Sequence, residues 1–167
     1  MDDTQNFGEA LQEAIHNFLE KIPGQISDCS ITEMTAYAFC LTDLHAWHQG
    51  KENARTPLRE SIFAAYMNRL SPMSLLNKQE YFHDQVNDIA EKYLDVLKEN
   101  QREADMLMLL TVRLGYASLQ ESFYEGDADM PTLNKLINET YIVYMPVTEM
   151  FLRTTLMHMI NAALGEY

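Results

Sequence analysis

The sequence predicts an all-α protein, folded as a single-domain antiparallel bundle of six or seven helices over residues 1–167. Three observations lead to this prediction. Apolar residues recur at intervals of three and four along most of the chain. Period-two alternation is nearly absent, and YIVYMPV at 141–147 is the only β-like run. The length suits one domain with a full-sized core, and no repeat or linker marks off a second.

The first two helices have clear patterns. An apolar stripe in the first consists of Phe7, Leu11, Ala14, Ile15, Phe18, Leu19 and Ile22. Pro23 and Gly24 are predicted to end it. The second helix is expected to begin at Ser30-Ile-Thr-Glu33, because a serine followed three residues later by glutamate is a capping-box pattern. Gly50 is expected to close it.

The next two helices are predicted from capping residues. Thr56 followed by Pro57 indicates a cap and a first-position proline, opening a helix that runs to about Leu70. Asn77-Lys-Gln-Glu80 indicates another capped start, for a helix that continues to about residue 100. Its apolar stripe comprises Phe82, Val86, Ile89, Ala90, Tyr93 and Leu97.

Residues 103–124 are apolar on almost every side, which predicts a buried central helix. Arg113 is the lone charge within its most apolar part. An unpaired buried guanidinium costs several kcal/mol, so Arg113 needs a carboxylate or a ligand anion. We expect a buried ion pair with a Glu or Asp of a neighbouring helix, and an anion pocket is the alternative.

The C-terminal third is predicted to hold a turn and two helices. EGDADMP at 125–131 indicates the turn, and a short helix follows. Pro146 either kinks the chain or restarts it before a last helix over 147–164, which Gly165 stops.

The charge balance narrows the function classes. Twelve basic side chains against 25 acidic ones leave a net charge of −13. Such a surface repels phosphate backbones and attracts basic proteins, so we expect no nucleic-acid partner. We expect no membrane partner either, because no apolar run reaches the roughly 18 residues of a membrane helix. The acidic N-terminus lacks the features of a signal peptide, and Cys29 and Cys40 are too few for a disulfide framework, so we predict a cytoplasmic protein with free thiols.

His45 and His48 are the first candidates for chemistry. They lie about 60° apart around the second helix, close enough to share a metal. However, Cys40 lies too far along the axis to share that metal with His48, and the four Cys and His residues lack zinc-site spacing. We predict instead a helix terminus, with Trp47 and His48 on the buried face and His45 at its rim. No metal or other cofactor is expected.

Two Glu-x-x-His sequences, Glu13–His16 and Glu80–His83, lie on different predicted helices. In this they resemble the ferritin-like di-iron proteins, in which such pairs project into the bundle and bind two metal ions. Helical geometry argues against it here. Glu13 and His16 are predicted to face solvent, while His83 lies at the edge of its apolar stripe and Glu80 outside it.

Arg153-Thr-Thr-Leu-Met-His158 matches the Arg-x4–6-His pattern and resembles the HEPN-type ribonucleases. The resemblance implies His158 in acid–base chemistry and Arg153 stabilising phosphate charge. It covers six residues, and an acidic chain is a poor binder of RNA.

The sequence favours an acidic protein-binding module, of the immunity or inhibitor type, that occludes the site of a basic toxin or enzyme. The preferred contact surface combines acids with aromatic anchors: Glu121, Phe123, Tyr124, Glu125, Asp127 and Asp129. The outer face of the first helix is the second choice, with Glu9, Glu13 and Glu20. A metal-binding bundle enzyme, of the di-iron or HEPN type, is the first alternative. A structural or adaptor homodimer is the second.

Overall fold

The computed structural model describes residues 3–22, 26–70, 88–95, 107, 110–111, 113–114, 131, 135, 138 and 145–167. These residues are predominantly helical, and they include no strand. The all-α prediction is therefore confirmed. The count of six or seven helices and the single domain over 1–167 remain predictions. None of the described helices is long and apolar enough to cross a bilayer.

Helix α1, Asp3–Leu19, buries the stripe that its sequence predicts. Six of the seven predicted residues are buried: Phe7, Leu11, Ile15, Phe18, Leu19 and Ile22. Ala14 is half-buried. The helix ends at Leu19, before the predicted proline and glycine, and backbone hydrogen bonds from Lys21 and Ile22 continue the chain as a turn.

Helix α2, Asp28–His48, begins earlier than predicted. Its N-cap is Ser27, whose hydroxyl accepts from the Ser30 backbone N–H at 3.2 Å. The Ser30 hydroxyl is in turn bonded to the Ser27 backbone N–H at 2.8 Å, which completes a capping box. The predicted capping box of Ser30 with Glu33 is therefore wrong, because Ser30 is the third residue of the helix and not its N-cap. Glu33 takes no part in the cap, and its side chain is buried in the core.

Helix α2 is also the most enclosed helix of the described part. Every residue from 32 to 42 is buried, and no face of this stretch meets solvent. Helix α1 lies against it, as do α3 and the C-terminal chain described below. Of residues 103–124 the structure describes five, of which Leu110, Thr111 and Leu114 are buried. Whether that segment is a second enclosed helix stays a prediction.

The end of α2 is confirmed at Gly50. Glycine takes a φ of 66° there, in the left-handed region that other residues avoid. The Gly50 N–H donates to the Trp47 carbonyl and the Lys51 N–H donates to the Ala46 carbonyl. This pair of bonds is a Schellman motif, and it satisfies two carbonyls that the helix end would otherwise leave open.

Helix α3, Arg55–Arg69, follows a 3-10 turn over Glu52–Ala54. The predicted cap at Thr56 is wrong: Ala54 is the N-cap and makes no side-chain capping bond. The 3-10 turn runs directly into the helix, so Thr56 and Pro57 both lie in its first turn. Proline is tolerated there, because the backbone N–H groups of the first turn have no hydrogen-bond partner within the helix. The predicted end near Leu70 is confirmed.

Helices α1 and α3 cross where Gly8 meets Ser61. The Gly8 N–H donates to the Ser61 hydroxyl at 2.9 Å. A Cβ on residue 8 would collide with the Ser61 backbone carbonyl, so only glycine allows the two backbones to approach this closely.

The remaining described segments complete the core. Residues 88–95 are helical and bury Ile89, Ala90 and Tyr93. The Tyr93 ring meets that of Tyr37 edge-on, with centroids 5.1 Å apart. Of the predicted helix after residue 77, only this stretch lies within the described residues.

The C-terminal helix comprises Met145–Met150, a π-helical turn over Phe151–Leu156, and Met157–Leu164. Pro146 lies in the first described turn of this helix, and whether it kinks the chain or restarts it stays a prediction. In the π turn the Met157 N–H donates to the Leu152 carbonyl, and the Phe151 ring stacks on Phe18 of α1 at 4.5 Å.

The far end of the C-terminal helix is tied to the turn after α2. Lys51 Nζ donates to the Leu164 carbonyl at 2.7 Å, and Gln49 donates to the Asn161 side chain at 3.1 Å. A cation at a helix C-terminus also opposes the negative end of the helix dipole.

Candidate functional site

The strongest electrostatic feature of the core is the ion pair between Glu33 and Arg113. Glu33 lies on the enclosed stretch of α2 and is 1% exposed. Arg113 approaches as a two-pronged donor, with Nε 2.9 Å from Oε2 and an Nη2 2.7 Å from Oε1. Tyr93 adds a third donor, its hydroxyl 3.0 Å from Oε2. Residue 113, the lone charge of its apolar segment, thus has a carboxylate partner from another helix.

The Glu33 carboxylate is satisfied by its partners within the described residues. One carboxylate meets one guanidinium, and both carboxylate oxygens accept hydrogen bonds, as a buried charge requires. The pKa of Tyr93 is raised well above its ordinary value, first by burial and then by the negative charge of Glu33. Tyr93 therefore remains a protonated donor across the physiological range, and this cluster holds three helical segments together rather than presenting a reactive group.

Two further polar contacts extend from α2 to its neighbours. Gln12 of α1 donates to the Thr35 hydroxyl at 2.9 Å, and both side chains are buried. On α3, the Tyr66 hydroxyl lies 2.9 Å from that of Thr32. Burial is the main cause of the raised pKa of Tyr66. These contacts fix the rotation of α2, because each one satisfies a buried polar atom only in this register.

The structure corrects the prediction for the end of α2. Trp47 is 58% exposed and His48 is also exposed, so neither belongs to the buried face. Ala46 is the residue that points inward, at 0% exposure. The reason is that the predicted stripe assumed one packed face, whereas the helix is enclosed along its middle and emerges only in its last turn. The Trp47 and His48 rings lie against each other, with centroids 5.1 Å apart.

The possible metal ligands do not assemble within the described part of the chain. There, no group of three or more His, Cys, Asp or Glu side chains is placed to hold a metal ion. Cys29 is half-buried, Cys40 is buried, and both are free thiols. Burial is the main reason that the pKa of Cys29 rises to about 11 and that of Cys40 to about 12.

Asp43, which sequence analysis left unassigned, binds two arginines of the next helical segment. Arg55 donates from Nε to Oδ1 at 3.1 Å and from an Nη2 to Oδ2 at 2.7 Å. Arg59 reaches the same Oδ2 at 3.1 Å, and its guanidinium lies 5.0 Å from the centre of the Phe39 ring. The hydrogen bond to Asp43 is the main cause of the raised pKa of Arg55.

The Glu-x-x-His sequences do not converge in the described residues. Glu13 and His16 are both exposed on α1, as helical geometry predicts. His16 lies 3.2 Å from Glu20, its neighbour one turn later. The second pair, Glu80 and His83, lies outside the described residues.

The Arg-x4-His sequence spans the π turn of the C-terminal helix. Arg153 is exposed and pairs with Glu149 at 2.6 Å, an ordinary contact between successive helical turns. His158 is exposed as well. The Arg153 guanidinium thus pairs with a carboxylate of its own helix, and the HEPN-type activity stays a prediction.

The preferred contact surface at 121–129 lies outside the described residues, so Glu121, Phe123, Tyr124, Glu125, Asp127 and Asp129 remain predictions. The second-choice surface is described. Glu9, Glu13 and Glu20 are all exposed on the outer face of α1. Glu9 accepts a long 3.5 Å contact from Arg69, and Glu20 lies beside His16.

Comparison of the chain with protein-family models, with curated proteins and with solved structures finds no significant match.

Proposed function

We propose that this chain is an acidic protein-binding module of the immunity or inhibitor type, which binds a basic toxin or enzyme and occludes its site. One observation carries the proposal. Five of the six arginines are committed to carboxylates of the chain itself: Arg55, Arg59, Arg69, Arg113 and Arg153. With 25 acidic side chains against 12 basic ones, the chain keeps a large excess of carboxylates that its own cations cannot neutralise.

The exposed acids support this reading. Glu13 and Glu60 are exposed, and no ion pair is recorded for either within the described ranges. Exposed carboxylates in excess accelerate the approach of a positively charged partner and repel an acidic one. The buried ion pair at Glu33 is satisfied by its own neighbours and leaves binding to the surface.

We infer further that the bundle comprises six or seven helices in one domain and that the protein resides in the cytoplasm. Two free thiols, of which Cys40 is buried, are typical of a reducing compartment. The basic partner would then be a protein that is made in the cytoplasm or enters it.

Affinity capture from the native host tests the proposal. The full chain is immobilised, and proteins retained at low salt are eluted with salt and identified. We expect a basic protein that is released as ionic strength rises, since surface charge attraction is screened by salt. The purified partner must then lose its own activity when the chain is added. Retention of no basic protein, or a partner whose activity is unaffected, would overturn the proposal.

Three variants with equal charge changes locate the contact surface. One changes three acids of the preferred surface, E121Q/E125Q/D127N. The second changes the outer face of α1, E9Q/E13Q/E20Q, and a matched control changes exposed acids elsewhere, E60Q/E91Q/E166Q. We expect the first variant to slow association by about tenfold or more and the control to have a much smaller effect. An equal effect of all three would mean that net charge matters and no particular surface does.

A further inference from the structure

Trp47 is the only tryptophan of the chain and lies 58% exposed at the end of α2. Asp43 lies one helical turn earlier on the same side, and Arg55 and Arg59 converge on it. Glu52 is near enough for its charge to act on Arg55. We call these five residues, Asp43, Trp47, Glu52, Arg55 and Arg59, the Trp47 surface.

The arginines of the Trp47 surface are held in place before any partner arrives. Asp43 accepts two hydrogen bonds from Arg55 and one from Arg59. The Arg59 guanidinium also stacks over the Phe39 ring, with its central carbon 5.0 Å from the ring centre. The Arg55 and Arg59 side chains are nevertheless 40% and 44% exposed. Arginines fixed in this way lose little side-chain freedom on binding, which lowers the cost of association.

The charge of the Trp47 surface differs from that of the whole chain. Its two arginines balance its two carboxylates, whereas the chain carries −13. A basic partner is attracted to the acidic faces of the chain, and the neutral Trp47 surface adds nothing to that electrostatic attraction. Two copies of the chain repel each other over most of their surface, and a neutral patch is where that repulsion is least.

We propose that a second copy of this chain docks on the Trp47 surface, forming a two-fold dimer with Trp47 at its centre. A two-fold contact places the same residues on both sides, so the surface must be complementary to itself. The Trp47 surface meets this condition, because Arg55 and Arg59 stay partly exposed while bound to their own Asp43, so the arginines of one copy can face the carboxylates of the other without leaving it. Tryptophan and arginine are also the residues that most often dominate binding energy at protein interfaces.

This inference does not rest on the proposed function. The Trp47 surface contains none of the acids of the outer face of α1 or of the surface at 121–129, so the two proposals use different residues. Failure of one proposal would leave the other standing.

The test uses light scattering and tryptophan fluorescence on the full chain over a wide dilution series. We expect the molar mass to rise from 19.3 kDa toward twice that value with concentration. The emission of Trp47 should shift to shorter wavelength in step, and acrylamide should quench it less, because the only fluorescent indole becomes buried. A monomer at every concentration, or a dimer in which Trp47 is quenched as before, would overturn the proposal.

Matched variants separate the interface from general effects. Arg59→Glu keeps the fluorophore and should abolish the rise in mass, whereas Arg153→Glu, at a more exposed arginine, should not. Trp47→Ala should also give a monomer, and Met150→Ala, at an apolar residue that is slightly more exposed, should still dimerise. Circular dichroism confirms that each variant is folded. A Trp47→Ala protein that dimerises as the parent does would show that the contact lies elsewhere.

Discussion

The guanidinium of Arg113 and the carboxylate of Glu33 meet in a two-pronged ion pair, although 80 residues separate them in the chain. Their contact joins the second turn of α2 to a helical segment of the C-terminal half. Tyr93 joins the same carboxylate from a third segment. The pair thus fixes the relative position of three parts of the bundle at one point.

Breaking this pair should be costly. Glu33→Leu removes the two-pronged partner of Arg113 and the acceptor of the Tyr93 hydroxyl, and we expect the free energy of unfolding to fall by about 3 kcal/mol. The double variant Glu33→Leu/Arg113→Met should lose less than Glu33→Leu alone, because both charges of the pair are then removed. Urea denaturation measures both. The exposed pair Arg69 and Glu9 is the control, and its removal should cost less than about 1 kcal/mol.

Tyr93→Phe tests the third member of the cluster. The variant keeps the ring and its edge-on contact with Tyr37 but removes one donor to a buried carboxylate. We expect a loss of about 1–3 kcal/mol in the free energy of unfolding. An unchanged stability would mean that Arg113 alone satisfies Glu33.

Alkaline pH should destabilise the protein before it affects most surface charges. The folded state raises the pKa of Cys29 from 9.0 to about 11 and that of Cys40 from 9.0 to about 12. Above pH 9 the unfolded chain releases thiol protons that the folded protein still holds. The contribution of the two protonated thiols to the free energy of unfolding is therefore complete below pH 9, and it is lost as the pH rises through the pKa values of the folded state. Unfolding in urea with reductant, repeated from pH 8 upward, measures the slope. A Cys29→Ser/Cys40→Ala protein should show a smaller loss just above pH 9.

Gly8→Ala should destabilise the protein, although alanine is the better helix former. Helix propensity alone would favour alanine by about 1 kcal/mol. The added Cβ collides with the Ser61 backbone carbonyl, which cannot move without separating α1 from α3. We expect a net loss of about 1–3 kcal/mol by thermal or urea unfolding. Gly165→Ala is the milder comparison and should cost less, since its Cβ would make a tight 3.3 Å contact with the Ala162 carbonyl oxygen rather than overlap with it.

Lys51→Met should loosen the end of the C-terminal helix. It removes the hydrogen bond to the Leu164 carbonyl and the cation at that helix terminus, a combined loss of about 1 kcal/mol. Amide hydrogen exchange should accelerate over residues 160–164 and remain unchanged in α1. Lys21→Met, at an exposed lysine, should leave both regions as they are.

Helices with one packed face were predicted well from the sequence. In α1 the polar and apolar residues lie on opposite sides, so the three- and four-residue spacing identifies the buried residues directly. The stop at Gly50 was also predicted, because a glycine after a helical pattern has a specific backbone role.

Helix α2 shows where such reasoning fails. Its middle is enclosed on every side, so no stripe exists, and extrapolating one placed Trp47 and His48 on the wrong side of the helix. Glu33 fitted a capping pattern and was assigned to it, whereas the structure uses it to neutralise Arg113. No local pattern could reveal that partner, since the contact depends on how distant helices pack. The candidate surface at 121–129 lies outside the described residues and stays a prediction.

The enclosure of α2 has a consequence for the order in which the chain folds. A helix that is buried on all sides, with its one buried charge paired to a residue far along the chain, gains little stability from forming alone in water. Its stabilisation arrives when α1, α3 and the C-terminal helix have all docked around it, and the last of these lies about a hundred residues further along the chain. We therefore expect α2 to gain stable structure together with these neighbours and not before them.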